Sequence, residues 1–215
     1  MVSKRTLSSA PAASPATTQV RIQAGQWRRT PIPVANVLGL RPTPDRVRET
    51  LFNWLGQQLI GQHCLDLFAG TGALGFEAAS RGAASVTLIE SNRVASGQIR
   101  GLIDRLGARN MTLIEGDALA NLSRLPTQFF DVIFLDPPFE QGLLEQVLPK
   151  IMNILKPGGL IYIESEMPIT ASLIGAWAPQ APLSIIKADK AGKVYYHLLS
   201  FEFASPTIKT SEPSS

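Results

Sequence analysis

Residues 64 to 75 constrain the fold more than any other stretch of this chain, because a short apolar run there breaks into a glycine-rich turn and continues as a helical pattern. The stretch predicts a strand, a loop that cradles a ligand, and a helix. Gly70, Gly72 and Gly75 match the pattern G-x-G-x-x-G, in which glycines let a ligand approach the backbone and a helix N-terminus favours negative groups. Taken alone, this match is weak evidence for any one ligand.

Asp66, at the end of the predicted strand, narrows the choice of ligand. In a dinucleotide site its carboxylate would lie near bound phosphates, whereas it suits a cofactor that carries an ammonium group and a sulfonium. The spacing of Asp66, Phe68, Gly70 and Gly72 is similar to the first motif of methyltransferases that depend on S-adenosylmethionine (SAM). We therefore interpret these residues as cofactor-binding.

Strand and helix patterns alternate from Cys64 onward, and the first five predicted strands are nearly continuous apolar runs, as strands covered on both faces are. Only residues 189 to 193 separate the last two strands, which predicts a hairpin and one antiparallel strand. The predicted fold is α/β and Rossmann-like, that of a SAM-dependent methyltransferase with a seven-stranded, mostly parallel sheet. The strands are predicted at residues 64–68, 85–90, 111–115, 130–136, 159–165, 183–188 and 194–203, and the helices near 73–81, 92–106, 117–124, 141–155 and 168–175.

The sequence predicts four segments: a disordered tail at residues 1–19, a basic arm and helix at 20–60, the methyltransferase domain at 61–204 and a flexible tail at 205–215. Within the arm, residues 20–24 and 27–34 are predicted as two short strands of a ribbon. Thr43 can cap the helix that follows, with Pro44 in its first turn. Arg46 and Arg48 are predicted to project toward solvent or a ligand.

The charge distribution indicates a polyanionic partner. Residues 1 to 60 carry eight basic and two acidic side chains, a net charge of +6, whereas the remainder has a net charge of −3. Phosphate groups would supply affinity for such a surface. The predicted RNA-binding residues are Arg21, Arg28, Arg29, Arg46 and Arg48. The alternative is a solvated basic face without a partner.

Further acids stand at strand ends, where ligands bind in open α/β sheets. Glu90 lies 20 residues after Gly70. At this spacing in the sequence of nucleoside-binding folds, an acid accepts hydrogen bonds from the ribose hydroxyls. Asp117 and Ala118 follow the third strand, where an adenine amino group would lie. Each acid could instead cap the helix that follows it.

Asp136, Pro137, Pro138 and Phe139 end the fourth strand and predict the chemistry. The exocyclic amine of a base is a poor nucleophile because its lone pair is delocalised into the ring. The Asp136 carboxylate and a carbonyl of the rigid proline pair can hold its two N–H groups, while Phe139 stacks on the base. Similar tetrapeptides occur in enzymes that methylate adenine N6, cytosine N4 or guanine N2, so the motif does not identify the base. The alternative is a Pro-Pro sequence that only terminates the strand.

Other residues limit the remaining function classes. Cys64, the single cysteine, lies in an apolar run and is predicted to be a buried inert thiol in a reducing compartment. His63 and His197 have no neighbours at metal-ligand spacing, so we expect no metal. No apolar stretch approaches the ~20 residues of a membrane helix. We expect a cytoplasmic monomer, with a transit peptide as the alternative reading of the front tail.

From residue 20 to residue 203, the sequence resembles the RsmD family of bacterial 16S ribosomal RNA guanine-N2 methyltransferases. The likeness rests on residues 25–28 (GQWR), 40–55 (LRPTPDRVRETLFNWL), 65–75 (LDLFAGTGALG) and 136–139 (DPPF), of which the second is the most family-specific. The resemblance implies SAM as methyl donor, with Thr43 near its methionyl end. It also implies a guanine of 16S rRNA in an assembling small ribosomal subunit as acceptor.

Other functions remain as alternatives. A DNA adenine-N6 methyltransferase would generally need target-recognition segments beyond the short arm of residues 20 to 40. An NAD-dependent oxidoreductase explains the glycines but gives no role to residues 136 to 139 or to the basic front. A non-catalytic RNA-binding module is the third alternative.

Overall fold

The computed structural model of the protein describes residues 20–37, 40, 42–139 and 142–202. The two predicted tails, residues 1–19 and 205–215, lie outside the described residues. Within the described ranges, no helix has the length and apolar character needed to cross a bilayer.

A seven-stranded sheet forms the centre of the fold, with strand order β5-β4-β3-β6-β7-β9-β8. Strand β9 is antiparallel to both of its neighbours and the other adjacent pairs are parallel, which confirms the predicted mixed sheet. The strands are β1 Val20–Arg21, β2 Pro31–Ile32, β3 His63–Asp66, β4 Ser85–Glu90, β5 Met111–Glu115, β6 Phe130–Leu135, β7 Leu155–Ser165, β8 Leu183–Ala191 and β9 Val194–Phe201. The helices are α1 Asp45–Trp54, α2 Ala73–Ser80, α3 Arg93–Leu106, α4 Ala118–Leu122, α5 Leu143–Ile151 and α6 Ala171–Trp177.

Alternation along the strands divides the core into two layers, one on each face of the sheet. On β3, Cys64 packs into one buried cluster and Leu65 into the other, and Phe134 and Leu135 divide in the same way on β6. Successive side chains of a strand point to opposite faces, so a continuous apolar run fills both layers.

Strand order reverses between β3 and β6. The chain runs outward from β3 through β4 to β5, and then returns to place β6 on the other side of β3. Loops that leave neighbouring strands in opposite directions open a crevice at the carboxyl ends of the strands. The fold therefore places the predicted site between β3 and β6.

Several predicted boundaries are wrong. The two strands of the N-terminal ribbon comprise only Val20–Arg21 and Pro31–Ile32 instead of residues 20–24 and 27–34, because the N–H groups of Gln23 and Ala24 donate to Glu77 and not to a neighbouring strand.

Three further boundaries differ in the second half of the chain. Strand β8 continues to Ala191, because the segment predicted as a loop pairs with β9 and Asp189 accepts a hydrogen bond from the Tyr196 hydroxyl at 2.7 Å. Strand β7 begins at Leu155, which pairs with Phe130 before a register shift. Helix α5 ends at Ile151 instead of residue 155, because a turn at residues 152–154 leads into β7.

The N-terminal arm, residues 20 to 37, is attached to α2 through buried Glu77. The Glu77 carboxylate accepts hydrogen bonds from the backbone N–H groups of Gln23 and Ala24 at 2.7 and 3.0 Å, and it pairs with Arg48 and Arg81. A Cβ atom added at Gly25 would lie 1.8 Å from the carbonyl oxygen of Ser80. Glycine is therefore required where the arm crosses α2.

The structure contradicts the prediction that Arg48 projects toward solvent or a ligand. Its side chain is fully buried and donates to Asp45 Oδ1 at 2.6 Å and to the Arg21 carbonyl at 2.8 Å. One guanidinium thus joins α1 to β1 and to Glu77. Arg48 does not project toward solvent, and its side chain is not available to RNA phosphates in this conformation.

Candidate active site

The glycine turn joins β3 to α2 with a backbone that other residues would strain. Gly70 and Gly72 have φ angles of 54° and 75°. A Cβ atom at Gly72 would lie 3.0 Å from the Phe76 ring, whereas one at Gly70 would meet only Leu40 at 4.0 Å. Gly72 is thus packed behind the turn, and Gly70 leaves its backbone open to a ligand.

A cleft of about 470 Å³ opens at the carboxyl ends of β3, β4, β5, β6 and β7. It is lined by all four predicted catalytic residues, Asp136, Pro137, Pro138 and Phe139. It is also lined by every predicted cofactor-binding residue except Gly72, namely Thr43, Asp66, Phe68, Gly70, Glu90, Asp117 and Ala118. The fold thus brings residues that are up to 96 positions apart in the sequence to one surface.

Glu90 and Asp117 make local hydrogen bonds that the sequence left open. Glu90 accepts from the N–H of Gly70 and from that of Asn92, each at 2.7 Å, so it holds the glycine turn. Asp117 caps α4, because its Oδ1 accepts from the Ala120 N–H at 2.8 Å. Both side chains also line the cleft. The capping and ligand-binding readings of Asp117 are therefore compatible.

Asp66 is almost fully buried beneath the glycine turn. Its Oδ2 accepts a hydrogen bond from the Gly75 N–H at 2.9 Å. Burial raises the pKa of Asp66 to about 7, against the lowering effect of that hydrogen bond, and the charges of Glu90 and Glu164 raise it further. A cationic ligand group would relieve this cost by favouring the carboxylate.

Asp136 follows β6 and is partly exposed on the cleft wall. Loss of hydration raises its pKa well above the usual value, and the nearby charges of Glu164 and Asp66 act in the same direction. The Thr43 hydroxyl donates to Asp136 Oδ2 at 3.5 Å, which lowers the pKa. Helix α1 instead has Pro44 at its N-cap without a side-chain cap, so the prediction that Thr43 caps it is wrong.

Glu164 is a cleft residue that the sequence reasoning missed. It is buried at the end of β7 and lines the cleft together with Asp136. Its Oε1 accepts a hydrogen bond from the Tyr162 hydroxyl at 2.8 Å. Burial raises its pKa, while hydrogen bonds from Tyr162 and Thr43 lower it. The available signal was an acid at the end of an apolar strand, as for Asp66 and Glu90.

The exposed arginines among the predicted RNA-binding residues lie in two places. Arg21, Arg28 and Arg29 are exposed and line a groove of about 410 Å³ together with Arg81. Arg46 is also exposed but is near the β8–β9 hairpin, where the hydrogen bond from Tyr196 is the main cause that lowers the pKa of Asp189 and the charge of Arg46 adds to it. Three of the five predicted RNA-binding arginines thus share one surface.

The fold and the cleft define a Rossmann-like methyltransferase: the sheet reverses at β3 and β6, β9 is antiparallel, and acids surround a glycine turn. A precorrin-6y C5,15-methyltransferase from Geobacter metallireducens has the same fold, with a TM-score of 0.61 at 22% identity over 79% of this chain and 94% of that one. The model of the family described as Conserved hypothetical protein 95 matches residues 20–200.

Two curated relatives are named Ribosomal RNA small subunit methyltransferase D. The protein of Escherichia coli K12 is 42% identical over 86% of this chain and 91% of its own length, and that of Haemophilus influenzae is 46% identical over 84% and 93%. The solved structure of yhhF from Escherichia coli has a TM-score of 0.74 at 42% identity, over 86% of this chain and 98% of that one. This chain belongs to the ribosomal RNA small subunit methyltransferase D family, which confirms the resemblance inferred from the motifs.

Proposed function

We propose that this protein transfers a methyl group from SAM to the exocyclic N2 of one guanine in 16S rRNA of the small ribosomal subunit. The observation that carries the proposal is the Asp136-Pro137-Pro138-Phe139 segment on the wall of the same cleft as the glycine turn. Membership of the methyltransferase D family supports rRNA as the acceptor. The choice of N2 rests on the family resemblance.

The cleft fits SAM. Gly70 leaves its backbone open, Asp66 is a buried acceptor without a cationic partner among the described residues, and Glu90 stands where ribose hydroxyls bind. Phe68, Asp117 and Ala118 would enclose the adenine end, and Thr43 the methionyl end. Bound SAM supplies a methyl group on a sulfonium, which is open to attack by a nucleophile.

The chain's own contribution to the reaction is to orient the amine. The Asp136 carboxylate accepts a hydrogen bond from one N–H of the amine, and a carbonyl of the rigid Pro137-Pro138 turn accepts a hydrogen bond from the other. Together they pull the nitrogen toward tetrahedral geometry, with its lone pair facing the methyl group. Phe139 stacks on the base. Asp136 is neither a covalent nucleophile nor a required base, because the methylated amine is acidic enough to lose its proton to water. The guanine must leave its stack first, which favours an unpaired base.

The raised pKa of Asp66 predicts that SAM affinity depends on pH. Because this pKa is about 7 and an ammonium group prefers the carboxylate, SAM binding should weaken as the pH falls from 7 to 5, approaching a limit of about tenfold per pH unit for one proton. Asp66→Asn should bind SAM more weakly and lose this part of the pH dependence. Calorimetry across this range measures the difference between the two proteins, so that the pH effects of groups present in both proteins cancel. Equal slopes would contradict the assignment.

The exposed arginines among the predicted RNA-binding residues are proposed to contact phosphates, whereas Arg48 is excluded by its burial; the exposed ones are Arg21, Arg28, Arg29 and Arg46. The double variant Arg28→Glu and Arg29→Glu should weaken RNA binding and flatten its salt dependence, because fewer counterions are released, while SAM affinity is unchanged. Binding is measured from about 50 to 200 mM salt. The matched control is Arg109→Glu with Arg124→Glu, two exposed arginines outside the groove. If both double variants have the wild-type slope, the arm has only a structural role.

The acceptor is tested with tritiated SAM and three substrates: small subunits, naked rRNA and DNA. We expect label in rRNA, with N2-methylguanine as the product in a nuclease digest. A DNA adenine-N6 methyltransferase remains the second candidate, because a DNA adenine methyltransferase of Escherichia coli, YhdJ, is 34% identical over 76 residues. That match spans only 27% of this chain. Label confined to DNA adenine would overturn the proposal.

A further inference from the structure

Asp136 and Glu164 stand side by side at the edge of the sheet. Strands β6 and β7 pair in parallel register, and their last paired residues are Leu135 and Ile163. The next residues in the same register are Asp136 and Glu164, so their side chains leave neighbouring strands on the same face. Neighbouring strands lie roughly 4.8 Å apart, so one small group can meet both carboxyl groups.

The oxygens of these two carboxyl groups can accept more hydrogen bonds than the surrounding residues donate to them. Tyr162 donates to Glu164 Oε1, and the Thr43 hydroxyl has a single proton to share between Asp136 and Glu164. Among the described residues, no lysine, arginine or histidine forms an ion pair with either acid. Acids at a cleft without cationic partners favour a ligand that brings hydrogen-bond donors.

Guanine presents two kinds of donor next to each other, the N2 amino group and the N1–H. The amino group of adenine is adjacent to N1 and that of cytosine to N3, and both ring nitrogens are acceptors. Two carboxylates side by side therefore match guanine and repel the other two bases. We propose that Glu164 accepts the N1–H of the target guanine while Asp136 accepts its N2 amino group, so that Glu164 determines the choice of base. The inference rests on the proposed guanine-N2 activity.

The test uses an RNA fragment that carries the mapped target nucleotide, synthesised with either guanine or 2-aminopurine at that position. 2-Aminopurine keeps the amino group but has an acceptor at N1. Wild-type enzyme should prefer guanine by about 5- to 150-fold in kcat/KM, the range for one good pair of base-edge hydrogen bonds. Glu164→Gln should lose most of this preference, because an amide can donate to N1 of 2-aminopurine. The ratio of kcat/KM for guanine to kcat/KM for 2-aminopurine is compared between the two enzymes. The difference in intrinsic reactivity between the two amines is the same for both enzymes and therefore cancels.

Glu166→Gln, at an exposed acid two residues further along, is the matched control and should keep the wild-type ratio. Equal use of both bases by the wild-type enzyme would overturn the proposal, even if Glu164→Gln failed to fold. So would a Glu164→Gln enzyme that binds SAM normally and keeps the full preference for guanine. In both cases the proposed function would still hold if the wild-type enzyme methylated guanine N2. If no N2-methylguanine were found in the product digest, the proposed function itself would be wrong.

Discussion

Asp136→Ala is expected to slow methyl transfer by roughly 10²- to 10³-fold, about 2.7 to 4 kcal/mol of barrier, by analogy with the loss of one oriented hydrogen-bonding group in an active site. Asp136 lines the cleft beside Glu164 and Asp66, where loss of hydration already raises its pKa. An acceptor held in such a place makes a stronger hydrogen bond to the amine than water would. Single-turnover methylation of rRNA at saturating SAM measures the effect apart from cofactor binding.

Two further variants show whether the carboxylate itself is responsible. Asp136→Asn keeps one acceptor oxygen without the charge and should retain part of the rate. Asp104→Ala, at an exposed acid of α3, should leave the rate unchanged. A near-normal rate for Asp136→Ala would rule out this mechanism, whatever the family of the protein.

Glu77→Ala is expected to lower the free energy of unfolding by about 3 to 5 kcal/mol, the usual cost of removing one partner of a buried ion pair. The Glu77 side chain is fully buried, and so is that of its partner Arg48. The change also leaves the backbone N–H groups of Gln23 and Ala24 without their acceptor. The arm would therefore lose its attachment to α2 together with the charge balance of the core.

Urea unfolding followed by circular dichroism measures this loss. The matched control is Glu49→Ala, at an exposed acid of α1, which should stay within about 0.5 kcal/mol of wild type. If Glu77→Ala unfolded at the same urea concentration as the control, the buried ion pair would not contribute to stability. If the arm of the variant detaches before the sheet unfolds, the urea curve should show a separate transition at lower urea concentration.

The sequence by itself determined the sheet and most of the cleft, because both depend on local patterns. Continuous apolar runs predicted strands buried on both faces, and β4 and β5 have the predicted bounds. In a parallel sheet every strand delivers its carboxyl end to the same edge. An acid at the end of such a strand, like Asp66, or directly after it, like Asp136, is therefore assigned to the site without knowledge of its neighbours.

Only the tertiary structure decided the roles of residues that depend on distant partners. Helical periodicity predicted that Arg48 projects toward solvent or a ligand. Burial of its guanidinium is tolerable because the carboxylate of Glu77, 29 residues away in the sequence, pairs with it. Thr43 could cap α1 or face the cleft, and the position of Asp136, 93 residues away, decided for the cleft. Glu164 became part of the site through the register of β7 against β6. Pairings across such separations leave no periodic signal in one sequence, so the folded chain alone reveals them.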